Sequence, residues 1–173
     1  DVAESNSYFG FMDIYYKNKS FESNVVSFDG LFNLLKNKLN IDAQIIHAAN
    51  RDNNLNNSSM GLSFEIAFKD KFSNFSKNKI LNDKTLESWF NFEIFDDDLE
   101  INNLGYLYRN DLKKIIFGTS LLKENKGEVL KNYSFYIQSI ICKKRHDDLR
   151  LKNSTSINWK TTFNNFWHLN SGI

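Results

Sequence analysis

The sequence predicts one α+β domain over residues 1–173, built on a mixed β-sheet with a C-terminal βαβ unit and an aromatic C-terminal helix. Three observations predict it. GLSFEIAF and ESWFNFEIF alternate apolar and polar residues with the period of a half-exposed strand. FDGLFNLLKNKLN spaces Leu31, Leu34, Leu35 and Leu39 along one face of a helix. LKKIIFG, TSLLKENKGEVLKNY and SFYIQSIIC follow one another as strand, helix and strand, the order of a right-handed crossover.

Along the chain, YFGFMDIYYK is aromatic on both faces and is expected as a buried strand over 8–16. The leucine-spaced segment follows, capped at Asp29. IDAQIIHAAN, with Ile45 and Ile46 buried, fits either a strand or a helix. NRDNNLNNSS breaks every periodicity and reads as a long mobile loop. The two alternating strands come next, with Leu62, Phe64, Ile66 and Phe68 sharing one face of the first and Phe90, Phe92 and Ile94 one face of the second. Asp96, Asp97 and Asp98 end the second in a repulsive turn. In the C-terminal half Gly118 permits a tight turn and Thr119 or Ser120 caps the helix. TSINWKTTFNNFWHL then places Trp159, Phe163, Phe166 and Trp167 at i, i+4, i+7 and i+8, a stripe expected to dock on the body of the domain.

Composition narrows the function classes. Forty-one per cent hydrophobic residues, with 16 Phe, 7 Tyr and 3 Trp, supply enough apolar area for a core without disulfides. A net charge of +1 makes any polyanion site a local one. Proline is absent, and the Asn and Lys runs are those of an AT-rich coding sequence. The single Cys142 excludes an internal disulfide and, closing the run IQSII, reads as a buried thiol. No run approaches the roughly 18 consecutive apolar residues of a spanning helix, so no membrane span is expected. The chain opens on Asp1 rather than Met, as after removal of a leader or trimming of the start, which leaves the location open between the cytoplasm and, after leader removal, secretion.

No H-E-x-x-H, paired C-x-x-C, G-x-G-x-x-G, Walker loop or G-x-S-x-G occurs, so neither a cofactor nor a metal is expected. Asp96–Asp98 read as a solvated acidic turn. The stretch SIICKKRHDDLRLKN discharges an apolar run into Lys143, Lys144, Arg145 and His146. At the end of a parallel strand such a run would hold phosphate, with Arg150 and Arg51 as further cations. Asp147 and Asp148 offset part of that charge, and a polar rim of ion pairs is the alternative. Histidine is the side chain that titrates near neutrality, which makes His146, then His168 and His47, the candidates for acid and base. Base, acid and phosphate-binding cation are what metal-free RNA cleavage needs. The expected function is therefore a nucleic-acid-directed toxin or defence effector, a metal-independent endoribonuclease acting on RNA such as tRNA. The rival is a non-catalytic domain that binds a protein partner through an exposed aromatic surface.

The segment LGYLYRNDLKKIIFGTSLLKENKGEVLKNYSFYIQSIICKKRHDDLRLK, with Trp89 and Glu93 ahead of Ile115, Ile116, Phe117 and Gly118 and SSMGLSFEIAF upstream, resembles a bacterial family of unknown function found among phage-defence genes. The resemblance implies a conflict-system protein and names no reaction. In composition alone the chain is similar to secreted killer toxins of AT-rich plasmids that cleave tRNA. In such an enzyme Glu4 and His168 would be residues of a suitable type.

Overall fold

The computed structural model describes residues 6–19, 21–52, 55–75, 84–99, 111–123, 129–147 and 149–173. They form one antiparallel sheet of nine strands in which every strand pairs with its sequence neighbours. The strands are β1 (Tyr8–Lys17), β2 (Phe21–Leu34), β3 (Leu39–Asp52), β4 (Leu55–Lys71), β5 (Thr85–Phe95), β6 (Leu112–Lys123), β7 (Leu130–Lys143), β8 (Arg150–Phe163) and β9 (His168–Gly172). A single 3-10 turn, Phe72–Asn74, follows β4. The meander gives the sheet two rims. The strand ends at Lys17/Phe21, Asp52/Leu55, Phe95/Leu112 and Lys143/Arg150 lie on what we term the upper rim, and those at Leu34/Leu39, Lys71/Thr85, Lys123/Leu130 and Phe163/His168 on the lower one.

The pairing is staggered in one direction. A cross-strand row that leaves β1 at Phe11, six residues before its upper end at Lys17, passes Phe28, Ile45, Leu62, Ile94, Lys113 and Lys143 and arrives at Arg150, the first residue of β8. A slip of about one residue per strand tilts the strands against the rim, as in a barrel wall.

The α+β expectation is overturned, since the described residues contain no α-helix. The leucine-spaced segment is the end of β2, a turn and the start of β3. Leu34 pairs with Leu39, and Leu35, Lys36 and Asn37 turn the chain with φ of 54°, 57° and 63°. Its leucines satisfied helical spacing by coincidence: Leu31 points to one face, Leu34 and Leu39 to the other. The βαβ unit is a β6–β7 hairpin in which Lys113 pairs with Lys143 and Lys123 with Tyr133. Only six residues separate those strands, while a parallel crossover takes a dozen or more. The aromatic helix is β8, a turn and β9. Trp159, Phe166 and Trp167 are 53%, 69% and 74% exposed, so these rings of the stripe stay largely uncovered, with Lys131 Nζ 4.7 Å from the centre of the Phe166 ring. NRDNNLNNSS, expected as a loop, supplies paired strand residues, Asn50 with Asn57 and Arg51 with Asn56, and its tip at 53–54 lies outside the described residues. β1 is a strand as expected, but its aromatic residues Tyr8, Phe9, Phe11, Tyr15 and Tyr16 are exposed rather than buried.

The lower rim has its own fastening. Lys38 Nζ lies 2.8 Å from Asp70 Oδ2, and the Lys69 amide donates to the Lys38 carbonyl at 2.7 Å. The lysine's hydrogen bond, helped by the Lys71 amide and Asn74, holds the Asp70 carboxyl below its ordinary value. A carboxyl so lowered contributes stability that is present above the ordinary carboxylate range and is lost as pH falls through the lowered value. Thermal unfolding followed between neutral and strongly acidic pH should show this acid limb in the parent chain and a flatter one in Asp70→Asn.

Candidate functional site

Neighbours across an antiparallel sheet share a face, so the register sorts the side chains without ambiguity. One face carries Phe11, Phe28, Ile45, Leu62 and Ile94 in one row and Ile41, Ile66, Phe90 and Phe117 in another. Phe135, Ile137, Ile157 and Trp159 continue it on β7 and β8. The opposite face carries the row Asp29, Gln44, Ser63, Glu93, Lys114, Cys142 and Lys152.

Burial is inverted with respect to a water-soluble sheet. Ser27, Ala48 and Ser59 on the polar face are 1%, 0% and 2% exposed, whereas Phe11, Phe117 and Ile157 on the apolar face are 59%, 46% and 45% exposed. Small side chains line the polar side, and because it is the covered one we term it the concave face. Gly61 belongs to it, and a Cβ there would meet the Phe95 ring at 2.6 Å. The buried apolar residues among those described are Val25, Ile46, Ala48, Phe95, Leu99 and Leu112, all but the loop residue Leu99 on the polar face. Among the described residues that is a small cluster. The accessible surface of 12157 Å² also exceeds the roughly 8,800 Å² that a compact monomer of this mass exposes.

Cross-strand side-chain hydrogen bonds occur on both faces, although Ser59 Oγ and Asn91 Oδ1 on the concave face are buried without a partner among the described residues. On the concave face Ser23 Oγ donates to Asn50 Oδ1 at 2.7 Å, and Lys114 Nζ reaches both Glu93 oxygens at 3.0 and 3.1 Å. On the apolar face the hydroxyls come in cross-strand pairs, Ser88 with Thr119 at 3.0 Å and Ser139 with Thr155 at 2.9 Å, and His47 Nε2 meets Ser58 Oγ at 2.8 Å. The Trp159 indole N–H donates to Thr161 Oγ1.

The predicted catalytic and phosphate-binding residues are dispersed. His146 sits in the upper-rim connection after β7, His168 opens β9 at the lower rim, and His47 lies in the middle of the apolar face. Arg51 stands at the upper end of β3, remote from the Lys143 run. Glu4 lies outside the described residues, as does Asp148. Within the run, each side chain beyond Lys143 meets an aspartate. Arg145 Nη1 lies 2.5 Å from Asp96 Oδ1, Lys144 Nζ 3.8 Å from Asp111 and 3.6 Å from Asp147, and His146 Nε2 3.1 Å from Asp97 Oδ1. Asp96 also accepts the Met60 amide at 2.7 Å, and Asp111 that of Arg145 at 3.0 Å. The run therefore ties the 144–149 turn to the 96–111 connection. Asp96, Asp97 and His146 bring ligand-type atoms within 4.8 Å of one another, with the Arg145 guanidinium already on Asp96. Cys142 is a free thiol, part-buried on the concave face and packed against the small core cluster, at the end of an antiparallel rather than a parallel strand.

No known family, no curated protein and no solved structure matches the chain. No helix among the described residues is long and apolar enough to cross a membrane.

Proposed function

We propose that this sheet is part of the wall of a membrane-spanning β-barrel, its apolar face turned to lipid and its polar, concave face to the lumen. The inversion of burial is the observation that carries the reading: large apolar residues are exposed on one side, while the other, which carries the polar rows, is the covered one and holds the small buried cluster. Strand length fits as well. β1 to β8 run from 10 to 17 residues, against the roughly 9–11 that a tilted strand needs to cross a bilayer. The paired hydroxyls suit a surface facing hydrocarbon, where an unsatisfied polar atom costs several kcal/mol, on the order given for backbone groups. In that setting the outer edges of β1 and β9, which have no neighbour among the described residues, require partner strands. Nine strands of alternating direction leave β1 and β9 pointing the same way, so antiparallel closure takes an odd number of additional strands.

The RNA-cleaving reading receives no comparable support, because Lys144, Arg145 and His146 meet aspartates at the rim, while His47, His168 and Arg51 stand apart from them. The aromatic surface of the rival reading is the lipid-facing surface of this one.

Tryptophan supplies the test. Trp159 stands on the apolar face and Trp89 on the concave one, opposite Gly118. Each is kept as the sole tryptophan by Phe substitutions elsewhere, and the chain is reconstituted in vesicles whose acyl chains carry bromine. Strong quenching of Trp159 with weak quenching of Trp89 is the expected result. Equal quenching of the two, or a chain that stays in the aqueous phase as a folded monomer, sinks the reading.

A further inference from the structure

We infer that the concave face of β7, β8 and β9 holds, near the lower rim, a binding site for a small anion that carries hydroxyl groups. Two cross-strand rows build it. Leu122, Ser134, Lys160 and Asn170 stand side by side in the first, and Asn132, Thr162 and His168 in the second. A register shift between Leu130 and Asn132 sets Asn132 opposite Thr162 and completes the second row. These side chains line a hollow of about 470 Å³, within the roughly 300–1,000 Å³ of small-molecule sites. The inference goes beyond the wall reading and does not depend on it, since Lys160, His168 and Asn170 are exposed on this face whatever covers the other.

The lining selects an anion. Lys160 Nζ lies 5.7 Å from the centre of the Tyr136 ring, a neutral contact that steadies the ammonium group without cancelling its charge. His168 Nδ1 meets Thr162 Oγ1 at 3.2 Å, and with the hydroxyl donating to Nδ1 the ring proton sits on Nε2, a second donor for the ligand. The strands around the hollow, β6 to β9, contain seven lysines, one arginine and no acidic residue. Acids of the concave face stand elsewhere, Asp29, Asp42, Glu65 and Glu93 being on β2 to β5, so the field over the hollow favours negative charge. The other lining groups describe the rest of the ligand. The amides of Asn132 and Asn170 both donate and accept, as does the Ser134 hydroxyl, and together they match the hydroxyls of a body larger than a bare inorganic anion.

Glucose 6-phosphate is the probe, titrated into the full chain in detergent micelles while the backbone amides of Ser134, Lys160 and Asn170 are followed by NMR. Saturable shifts at these amides are expected, with glucose and inorganic phosphate each binding about ten-fold more weakly, the factor that one lost charge-assisted hydrogen bond implies. Lys160→Gln should weaken glucose 6-phosphate by about ten-fold, and His168→Gln, in the neighbouring row, should weaken it as well. Lys152→Gln, on the same face of β8 but outside the hollow, should leave the affinity unchanged. All three replace exposed side chains, and an unaltered thermal midpoint reports that the fold is kept. Absence of saturable shifts, glucose binding as tightly as its phosphate, or full affinity in both Lys160→Gln and His168→Gln overturns the proposal. Inorganic phosphate binding as tightly as the sugar phosphate overturns the assignment of a hydroxylated ligand. None of these results touches the wall reading, which quenching of Trp159 on the other face decides.

Discussion

Phe117→Arg is expected to destabilise the lipid-reconstituted chain by about 2–4 kcal/mol, the cost of an arginine at mid-bilayer on a barrel's outer surface. Phe117 is 46% exposed, pairs with Phe90 and Ser139, and lies in the middle of the apolar face. An exposed position on a water-facing sheet would instead accept arginine within about 0.5 kcal/mol. The two environments therefore predict different magnitudes for one substitution, and denaturant titration in phosphatidylcholine vesicles reads the difference. Gln44→Arg is the companion. It lies on the concave face opposite Asp29 and Ser63, where an added cation faces a carboxylate, and should cost little. If Phe117→Arg were as mild as Gln44→Arg, the apolar face would not be in hydrocarbon.

The second large effect concerns the adjacent residue and an unrelated mechanism. Gly118→Val should destabilise the sheet by roughly 1–3 kcal/mol through overpacking, whatever solvent surrounds it. A Cβ at Gly118 would stand 2.5 Å from Cζ2 of Trp89 and 2.7 Å from the Ile137 carbonyl oxygen. The Trp89 ring covers the glycine across the β5–β6 pair, filling the place a side chain would take. Removing the ring relieves only one of the two contacts, since the carbonyl is backbone. Combining Gly118→Val with Trp89→Leu should therefore restore part of the loss, and a double-mutant cycle on thermal unfolding measures how much. Full restoration would show that the backbone contact is immaterial.

Strands were legible wherever alternation was clean. Leu62, Phe64, Ile66 and Phe68 in β4 and Phe90, Phe92 and Ile94 in β5 lie on one face as their spacing requires, because a period of two is a local property of extended chain. Helical spacing misled where leucines also fitted a strand and its turn, as at Leu31, Leu34, Leu35 and Leu39. There the pairing of Leu34 with Leu39, a tertiary contact, prevailed over local propensity. The rim position of the Lys143–His146 run was legible from the apolar segment before it. Its ion partners were not: Asp97 is 49 residues from His146, and Asp111 is 34 from Arg145. Nor was the row of Ser134, Lys160 and Asn170, which only register assembles from three strands.

The amino-acid order by itself determined that much of this chain would be extended and that, in its alternating strands, one side would be apolar and the other polar. It could not say which side would be inside, because alternation is symmetric and describes a half-buried strand in water as well as a lipid-facing one. In the assembled sheet the covered side is the one that carries the small residues Ser27, Ala48 and Ser59, and the exposed side is the one that carries Phe11, Phe117 and Ile157. Burial is a property of the assembled sheet, because only pairing over many strands decides which side has neighbours to cover it.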